Sequence, residues 1–336
     1  MKYIDRVYGE IEIDEPVILD LINSPSLQRL KEIDQAGYRP LWVKPDADAG
    51  LYDHSRFAHS LGVFLLLKIY GASPEEQIAG LIHDVSHSAF SHIIDYVLAG
   101  GSEAEHNHQD KIFAAFVRKT EIPAILDKYG FNLDYILNDH NFPLKEQALP
   151  DLCADRIDYS LKTAVIFSEL SEGDKNYLLQ NLIAEDGRWI FKDAQSAKKY
   201  AELFLKLNTI YYSGFLSAVM FRTAGDYLCH ALEKKYISEK DLYTTDKIVL
   251  EKIAAYHSSD DKLSELFARM NKKIPCTNNP ESYDVRVVCK SRAVNPYYKH
   301  DGEIKRVSEA YPEWGAIIET ESKPKEYFLK FGTNLI

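Results

Sequence analysis

The chain has 336 residues, with 51 acidic and 40 basic side chains, a formal net charge of −11 and 46% hydrophobic residues. This is typical of a globular protein with one large core or two fused domains, and the acidic balance argues against a surface devoted to nucleic acid or an anionic membrane, since both favour an excess of Lys and Arg. The four cysteines lack any CxxC spacing, so neither a disulfide framework nor a thiolate zinc site is indicated.

Apolar spacing predicts a mostly helical first half. Residues 1–13 alternate loosely and predict a short strand or hairpin, and the segment from Gly37 to His54 holds two prolines and two glycines and is predicted to be a loop. A helix that begins at Ser73-Pro74 should carry both His83 and His87. Further helices are predicted at 15–36 (two helices broken at Ser24-Pro25), 56–69, 89–98, 108–129 and 150–167.

The second half mixes helices with short strands. AEDGRWIF predicts a hairpin, 197–236 and 241–271 have helical spacing, and the β-branched segments 283–289 and 315–320 predict a small sheet. We therefore predict a mostly α fold with short β-hairpins, in which a helical core (1–180) carries a C-terminal helical and α+β extension (181–336).

The ends and the apolar runs of the chain predict its location. No stretch reaches the ~18–20 apolar residues of a membrane span. The first residues, MKYIDRVYGEIEIDE, carry acidic side chains where a secretory signal has a basic flank and an apolar run. We expect a cytoplasmic protein without a membrane or nucleic-acid partner.

Histidines are concentrated in one part of the chain, where seven of the eleven fall between residues 54 and 108. His59 and His83 lie in apolar helices, Asp84 follows His83, and Asp155 lies on the apolar face of a later helix. Burying these groups unpaired would cost several kcal/mol or more, which a divalent metal offsets. The mixed nitrogen and oxygen donors suit Mn²⁺, Fe²⁺, Ni²⁺, Co²⁺ or Zn²⁺, with positions left for water or substrate. The alternative is a set of hydrogen-bonded core residues.

Four separated segments carry a resemblance. SPSLQRLKEIDQAG, SRFAHSLGV, AGLIHDVSHSAFSH and ADRIDY occur in the order found in the HD-domain metal-dependent phosphohydrolases. The chain resembles them over roughly residues 5–165, most closely the deoxynucleoside triphosphate triphosphohydrolase branch. The resemblance implies a helical HD-domain fold, one divalent metal held by His59, His83, Asp84 and Asp155 (with Mg²⁺ as a further candidate), and hydrolysis of a phosphoester or phosphoanhydride.

The resemblance also implies catalytic residues outside the metal shell. His87 and His92 match histidines that line the phosphate site, and Asp95 is expected to orient a histidine. A further histidine, usually followed by Glu, opens the next helix in the family. Here His106 and His108 both qualify, neither is followed by Glu, and the sequence does not choose between them.

Substrate contacts are expected from charged and aromatic neighbours of these motifs. Arg56 and Arg156 could each clamp phosphate oxygens or form an ion pair. Tyr159 could contact a sugar or base or be a core tyrosine, and Gln35 resembles a family position near the sugar. Lys162 keeps the charge of a family Arg. Thr163, by contrast, replaces the Asp that usually follows it, which puts the substrate in doubt.

Beyond the HD segments the sequence offers fewer constraints. Five basic residues with two tyrosines near the C-terminus could reach a nucleotide, a neighbouring subunit or solvent: Lys290, Arg292, Lys299, Lys305 and Arg306. Several apolar helices could form either the core or a subunit interface, and we expect a homo-oligomer. The leading interpretation is a nucleotide phosphohydrolase, with deoxynucleoside triphosphates as first substrates. The alternatives are a hydrolase of a nucleoside monophosphate, cyclic nucleotide or guanosine polyphosphate, or a nucleotide-binding regulatory module.

Overall fold

The computed structural model describes residues 1–38, 54–98 and 100–332. Within these ranges helices predominate and pack around a central buried helix. The helices are α1 (Pro16–Ile22), α2 (Pro25–Arg29), α3 (Arg56–Ile69), α4 (Pro74–Ile82), α5 (His108–Val117), α6 (Ile122–Lys128), α7 (Leu133–Ile136), α8 (Ala154–Ile166), α9 (Glu172–Asn181), α10 (Ala194–Leu207), α11 (Phe215–Glu233), α12 (Asp246–Ala254), α13 (Asp261–Met270), α14 (Val307–Ala310) and α15 (Glu313–Glu321). Shorter helical turns are the 3₁₀ segments Leu30–Glu32, Ser91–Tyr96, Asp139–Asn141 and Glu239–Tyr243 and the π-helical turn Asn208–Tyr212.

Short strands form small sheets. The strands are β1 (Lys2–Asp5), β2 (Gly9–Glu12), β3 (Leu182–Glu185), β4 (Arg188–Phe191), β5 (Cys276–Asn278), β6 (Val285–Cys289), β7 (Tyr297–His300), β8 (Glu303–Arg306) and β9 (Lys325–Phe331). β1 and β2 form an antiparallel hairpin, β3-β4-β7-β8 a four-stranded sheet and β5-β9-β6 a three-stranded sheet. β4 and β7 pair in parallel, with Ile190 opposite Tyr297, so the C-terminal strands extend the sheet that the β3–β4 hairpin begins.

Helix α3 is the element around which the site is built. The Ser55 side chain caps it by accepting the Ala58 amide, and every residue from Arg56 to Leu67 is buried. It packs against α4 and α8. Polar side chains on α3 therefore face other helices rather than water and must find partners there.

The buried apolar side chains of the described residues form three clusters. Two of them combine residues from both sides of position 180, for example Leu66 with Trp189 and Phe90 with Val287. Each of these two clusters therefore packs the first half of the chain against the second. Within the described ranges, no helix has the length and apolarity needed to cross a bilayer.

Most predicted elements are confirmed, but the prediction that His87 lies on the same helix as His83 is wrong. α4 ends at Ile82, and His83 is its C-cap. Beyond it the chain forms tight turns in which the carbonyl oxygens of Val85 and His87 accept hydrogen bonds from the Arg29 guanidinium at 2.8 and 2.7 Å. In a continuing helix, these two carbonyl oxygens would instead accept hydrogen bonds from backbone amides of the same helix.

Two other predicted elements also differ. The window 89–98 contains a 3₁₀ turn rather than an α-helix, preceded by Phe90 at a left-handed φ of 61°. The predicted strand at 315–320 lies within α15. There the buried Trp314 donates its indole N–H to the Val294 carbonyl at 2.9 Å, so tertiary packing overrides the β-branched composition. The predicted loop between Gly37 and His54 lies largely outside the described residues.

Candidate metal centre and its cavity

His59 has one ring nitrogen placed to bind a metal, because its other nitrogen contacts a buried carboxylate. Its Nδ1 lies 2.7 Å from Oδ2 of Asp158, which is completely buried on α8. A carboxylate at that distance requires a proton on Nδ1, so Nε2 is the nitrogen that would give its lone pair to a metal. Nε2 lies 2.8 Å from Asp155 Oδ1.

His83 is oriented in the same way by a backbone group. Its Nδ1 lies 2.7 Å from the Gly80 carbonyl oxygen, which can only accept a hydrogen bond. Its Nε2 therefore carries the lone pair and lies 3.2 Å from Nε2 of His59 and 3.6 Å from Asp155 Oδ1. Ligand atoms of His59, His83 and Asp155 all lie within 4.8 Å of one another, so two imidazole nitrogens and a carboxylate converge on one point.

Asp84 completes the predicted set from the side of Arg56. Its Oδ1 lies 3.4 Å from His83 Nε2, and its Oδ2 lies 3.8 Å from His59 Nε2 and accepts the Arg56 guanidinium at 2.9 Å. Arg56 also donates to Ser91 Oγ and to the Gln35 carbonyl oxygen. The sequence left two roles open for Arg56, a phosphate clamp or an ion pair, and the structure contains the ion pair.

The electrostatics of this cluster favour a cation. Burial alone would raise the pKa of Asp84 and Asp155, yet Arg56 holds the first well below its usual value and His59 and His83 the second. Burial likewise opposes protonation of His59, but Asp155 and Asp158 raise its pKa to about 9. Two ionised carboxylates beside two imidazoles are the donor set that a divalent transition metal requires, and a metal that binds there would displace the extra proton of His59.

A row of histidines leads away from this point. His87 Nε2 lies 3.2 Å from Asp84 Oδ1, its ring is 5.1 Å from that of His92, and the His92 ring is stacked on that of His106 at 5.2 Å. Asp95 Oδ2 lies 3.5 Å from His92 Nδ1, as expected for a carboxylate that orients a histidine. Burial lowers the pKa of His92 and His106 well below the usual value.

The structure separates the two candidate histidines that the sequence left open. His106, at a left-handed φ of 49°, lines the cavity and lies 3.3 Å from the Tyr96 hydroxyl through Nε2. His108 begins α5, and its Nε2 lies 3.0 Å from the Tyr243 hydroxyl rather than in the cavity lining. Its amide donates to Asp95 Oδ1 at 3.1 Å, so His108 contributes its backbone to the histidine row.

The cavity above the metal ligands has a volume of about 420 Å³ and is lined by charges of both signs. The basic side chains in its lining are Arg56, Lys145, Arg156, Lys290 and Arg292. The acidic ones are Asp84, Asp110, Asp139, Glu146 and Asp155. A cavity of this size and polarity fits a small charged ligand.

A second, smaller compartment of about 110 Å³ adjoins the first and is mainly aromatic. The two share lining residues, among them Gln35, His92, Tyr159 and Arg292. The rest of the aromatic wall consists of Phe167, Tyr211, Tyr212 and Phe221. The side-chain oxygen of Gln35 is buried and receives no hydrogen bond within the described part of the chain.

The other predicted substrate contacts divide between the cavity and its support. Arg156 lines the cavity but also donates to the Asp151 carbonyl and to Cys153 Sγ. Lys162 is not in the lining of either compartment. It lies behind His59, 3.4 Å from Asp158 Oδ1 and 3.2 Å from Asp5 Oδ2, so its ammonium pairs with two carboxylates rather than lining these two compartments.

Sequence reasoning missed the support beneath the metal ligands. Asp158 lies three residues after Asp155 on one helix face, a spacing that could have revealed it. Gly62 gave no signal at all, yet a Cβ there would overlap Asp158 Oδ1 and Lys162 Nζ. The absence of a side chain at position 62 therefore lets the buried pair approach α3.

A second group of possible ligands lies beside the first. Ligand atoms of Glu146, Cys153 and Asp155 come within 4.8 Å of one another. Burial raises the pKa of the Cys153 thiol, however, and Arg156 donates to its sulfur at 3.1 Å. A neutral thiol beside a guanidinium is a poor cation ligand. All four cysteines are free thiols, as their spacing predicts.

The basic C-terminal residues separate into two groups. Lys290 and Arg292 line the cavity. Lys299, Lys305 and Arg306 form ion pairs on the surface, with Glu185, Glu303 and Asp151. Of these five residues, Lys290 and Arg292 are therefore the two that are placed to contact a ligand in the cavity.

Comparison with known proteins agrees with this geometry. The sequence profile of the family described as HD domain matches residues 56–162, which contain every proposed metal ligand. The uncharacterized protein YdhJ of Bacillus subtilis (strain 168) is 32% identical over 97% of this chain and 98% of its own length. A solved structure of a phosphohydrolase from Bacteroides thetaiotaomicron VPI-5482 superposes with a TM-score of 0.68 over 98% of this chain and 99% of that one. Its 20% identity supports the fold alone.

Partial matches have names that describe an activity. The metal-dependent phosphohydrolase cns2 of Cordyceps militaris is 35% identical over 62% of this chain and 57% of its own length. The deoxynucleoside triphosphate triphosphohydrolase SAMHD1 of Homo sapiens is 32% identical over 39% of this chain. The match spans only 23% of that protein.

Proposed function

The chain belongs to the HD-domain family of metal-dependent phosphohydrolases, and from that premise we propose that it hydrolyses the phosphate chain of a nucleotide, with deoxynucleoside triphosphates as the first substrates. One observation carries the proposal. The charged compartment, with the proposed ligands His83, Asp84 and Asp155 in its lining, adjoins an aromatic compartment and shares residues with it. A nucleotide has the same division into an anionic chain and a flat, hydrogen-bonding nucleoside.

His59, His83, Asp84 and Asp155 would hold the divalent ion. When bound, the ion would polarise a phosphoryl oxygen and lower the pKa of a coordinated water. The protein's own contribution is orientation. Asp158 and the Gly80 carbonyl fix the two imidazole tautomers, and Arg56 fixes Asp84, so the donor atoms are arranged before substrate arrives.

The histidine row would act in general acid catalysis. His92 and His106 are neutral at neutral pH because burial lowers their pKa. A phosphate placed beside them raises the pKa of both, towards the range in which an imidazole is an efficient general acid. Asp95 accepts from the His108 amide and contacts His92, which keeps that ring in place while protonation changes.

The aromatic compartment would bind the nucleoside. Tyr159 and Phe221 offer ring faces for stacking, and the unpaired Gln35 oxygen can accept a hydroxyl or amino hydrogen. The similarity to SAMHD1 over 39% of the chain supports deoxynucleoside triphosphates. A nucleoside monophosphate, cyclic nucleotide or guanosine polyphosphate is the second candidate, because acidic side chains in the cavity lining match the basic ones in number and reduce its preference for a highly charged chain.

The test is phosphate-product release from a panel of these nucleotides with added Mn²⁺ and with chelator. Tripolyphosphate, pyrophosphate or phosphate as the product identifies the bond that is broken. His83→Ala should abolish both bound metal and turnover, and His140→Ala, at an exposed position, is the matched control. Metal-loaded protein that consumes no nucleotide of the panel would refute a nucleotide substrate.

A further inference from the structure

An extended segment of the C-terminal half forms part of the cavity wall. Residues 290–296 connect β6 to β7 without regular secondary structure. The two basic side chains of this segment, Lys290 and Arg292, line the charged compartment, and Arg292 also lines the aromatic one. The segment thus brings positive charge to the boundary between the two compartments from far along the sequence.

Arg292 brings a positive charge to the cavity. No carboxylate among the described residues pairs with its guanidinium, although its backbone amide is bonded. That charge helps to lower the pKa of His92 and His106, so it acts on the histidine row. An uncompensated guanidinium that faces neutral imidazoles is a strong anion-binding group.

Lys290 adds a second positive charge, on a half-buried side chain. Its ammonium donates one hydrogen bond, to the Glu105 carbonyl, at 2.6 Å, which leaves two of its three protons available. Burial, followed by the charges of Arg292 and Arg156, lowers its pKa to about 8 against the opposing effect of Asp110 and others. An anion between these cations would relieve their repulsion.

A buried amide holds the part of this segment that carries Ser291 and Arg292. The Asn208 side chain is fully buried and makes two hydrogen bonds to it, donating to Ser291 Oγ at 2.9 Å and accepting the Arg292 amide at 3.0 Å. Ser291 Oγ in turn donates to the Glu321 carbonyl at 2.6 Å. The backbone of Arg292 is therefore held at a set distance from helix α10, which ends beside Asn208.

The same residue begins the π-helical turn that forms the aromatic wall. The turn spans Asn208–Tyr212, and Tyr211 and Tyr212 line the aromatic compartment. The Ser213 amide and hydroxyl both bond to the Asn208 carbonyl, which closes the turn. Single π turns inside helices are frequent at functional sites. The side chain of Asn208 thus bonds to the segment that carries Arg292, and its backbone carbonyl closes the turn that carries Tyr211 and Tyr212.

We propose that Lys290 and Arg292 bind the phosphate chain of the substrate and that Asn208 is the positioning residue that sets them against the aromatic wall. The inference rests on the proposed nucleotide substrate. It assigns to the C-terminal half, outside the matched HD-domain residues 56–162, a direct part in substrate binding. The reaction itself is unchanged, since these residues bind and position phosphate without entering proton transfer.

The chain offers a matched control for Asn208. Asn295, also buried, donates to Ser308 Oγ at 2.8 Å and accepts the Ser308 amide at 3.1 Å, a nearly identical pair of bonds directed away from the cavity. Asn208→Ser and Asn295→Ser should therefore lower the melting temperature by similar amounts. We would compare both with Arg292→Gln, measuring the Kd for inorganic tripolyphosphate by calorimetry and kcat and KM on the hydrolysed nucleotide.

We expect Asn208→Ser and Asn295→Ser to differ in their effects on Kd and KM. Arg292→Gln should raise the Kd for tripolyphosphate by about tenfold or more, as for loss of a bidentate charged contact. Asn208→Ser should raise Kd and KM by roughly tenfold, whereas Asn295→Ser leaves both unchanged. If Asn208→Ser and Arg292→Gln bind tripolyphosphate as Asn295→Ser does while nucleotide is hydrolysed, this inference is wrong and the proposed function stands. If wild-type protein hydrolyses no nucleotide but binds tripolyphosphate through Arg292, the proposed function is wrong and the phosphate site stands.

Discussion

Replacing Asp158 by Asn tests whether this buried carboxylate, which is not itself a ligand, prepares His59 for the metal. The two carboxylate oxygens have different partners: Oδ2 lies 2.7 Å from His59 Nδ1 and Oδ1 lies 3.4 Å from the Lys162 ammonium. In the Asp158→Asn variant the new amide oxygen must face Lys162, because the ammonium can only donate. The new NH₂ group then faces His59 Nδ1 and forces the ring proton onto Nε2, which is the ligand atom.

The size of the effect follows from this change of tautomer. Outer partners of metal-bound histidines typically contribute 10–100-fold in affinity, or about 1.4–2.7 kcal/mol. We expect the loss of metal affinity to lie near the upper end of this range, because the substitution protonates the ligand atom Nε2 and also removes the carboxylate charge. Folding stability should fall by about 1.5–3 kcal/mol, the range for a hydrogen bond to a charged group.

Asp5→Asn separates the two effects. Asp5 Oδ2 lies 3.2 Å from the same Lys162 ammonium, but Asp5 does not contact His59. Both variants should therefore melt at similarly reduced temperatures, and only Asp158→Asn should lose metal. The assay is metal content after equilibration in a metal buffer, with Kd from chelator competition. A folded Asp158→Asn protein that binds metal as tightly as Asp5→Asn would refute the tautomer argument.

Four further predictions follow from the same geometry. Chelation should lower the melting temperature, since bound metal at a hundred times its Kd contributes about 2.7 kcal/mol, and a melt unaffected by chelator would contradict a resident ion. His106→Gln should lower kcat by about 10²–10⁴-fold, whereas His108→Gln should change it little, and equal losses would contradict the placement of His106 in the cavity. The pKa of Lys290 is about 8, so its charge is complete below that pH and is lost above it; KM for the nucleotide should rise above pH 8, and Lys290→Met should remove that rise. Gly62→Ala should destabilise the fold by about 1–3 kcal/mol through overpacking, while Gly173→Ala, in an open helical position, should stabilise it by about 0.5–1 kcal/mol.

The positions of the proposed metal ligands are predictable because their constraints are local. His59 and Asp155 stand out as polar residues on apolar helical faces, and a polar residue on such a face needs a partner whatever the fold. The same periodicity predicts α3 from Arg56 to Ile69 correctly. Spacing along a helix, in short, determines which side chains face inward.

The rest of the site depends on contacts between distant segments, which spacing does not contain. Spacing places His87 on a helix because nothing local ends α4, and the turn arises from Arg29, 58 residues earlier. By sequence Arg292 is one of five basic residues of equal standing, and it is Asn208, 84 residues earlier, that fixes its backbone. The choice between His106 and His108 likewise depends on Tyr243, which lies 135 residues beyond His108.

Charge balance connects the buried centre with the cavity above it. The proposed metal ligands and the residues that support them include four carboxylates, those of Asp5, Asp84, Asp155 and Asp158. Two cations, Arg56 and Lys162, pair with these carboxylates. The four negative and two positive charges leave a net charge of −2, which a divalent ion cancels. Buried charges are tolerated only when they are balanced, so this shell favours a divalent ion. Because this shell is neutral with its ion, further positive charge for an anionic ligand comes from the cavity wall, where Arg292 has no carboxylate partner among the described residues.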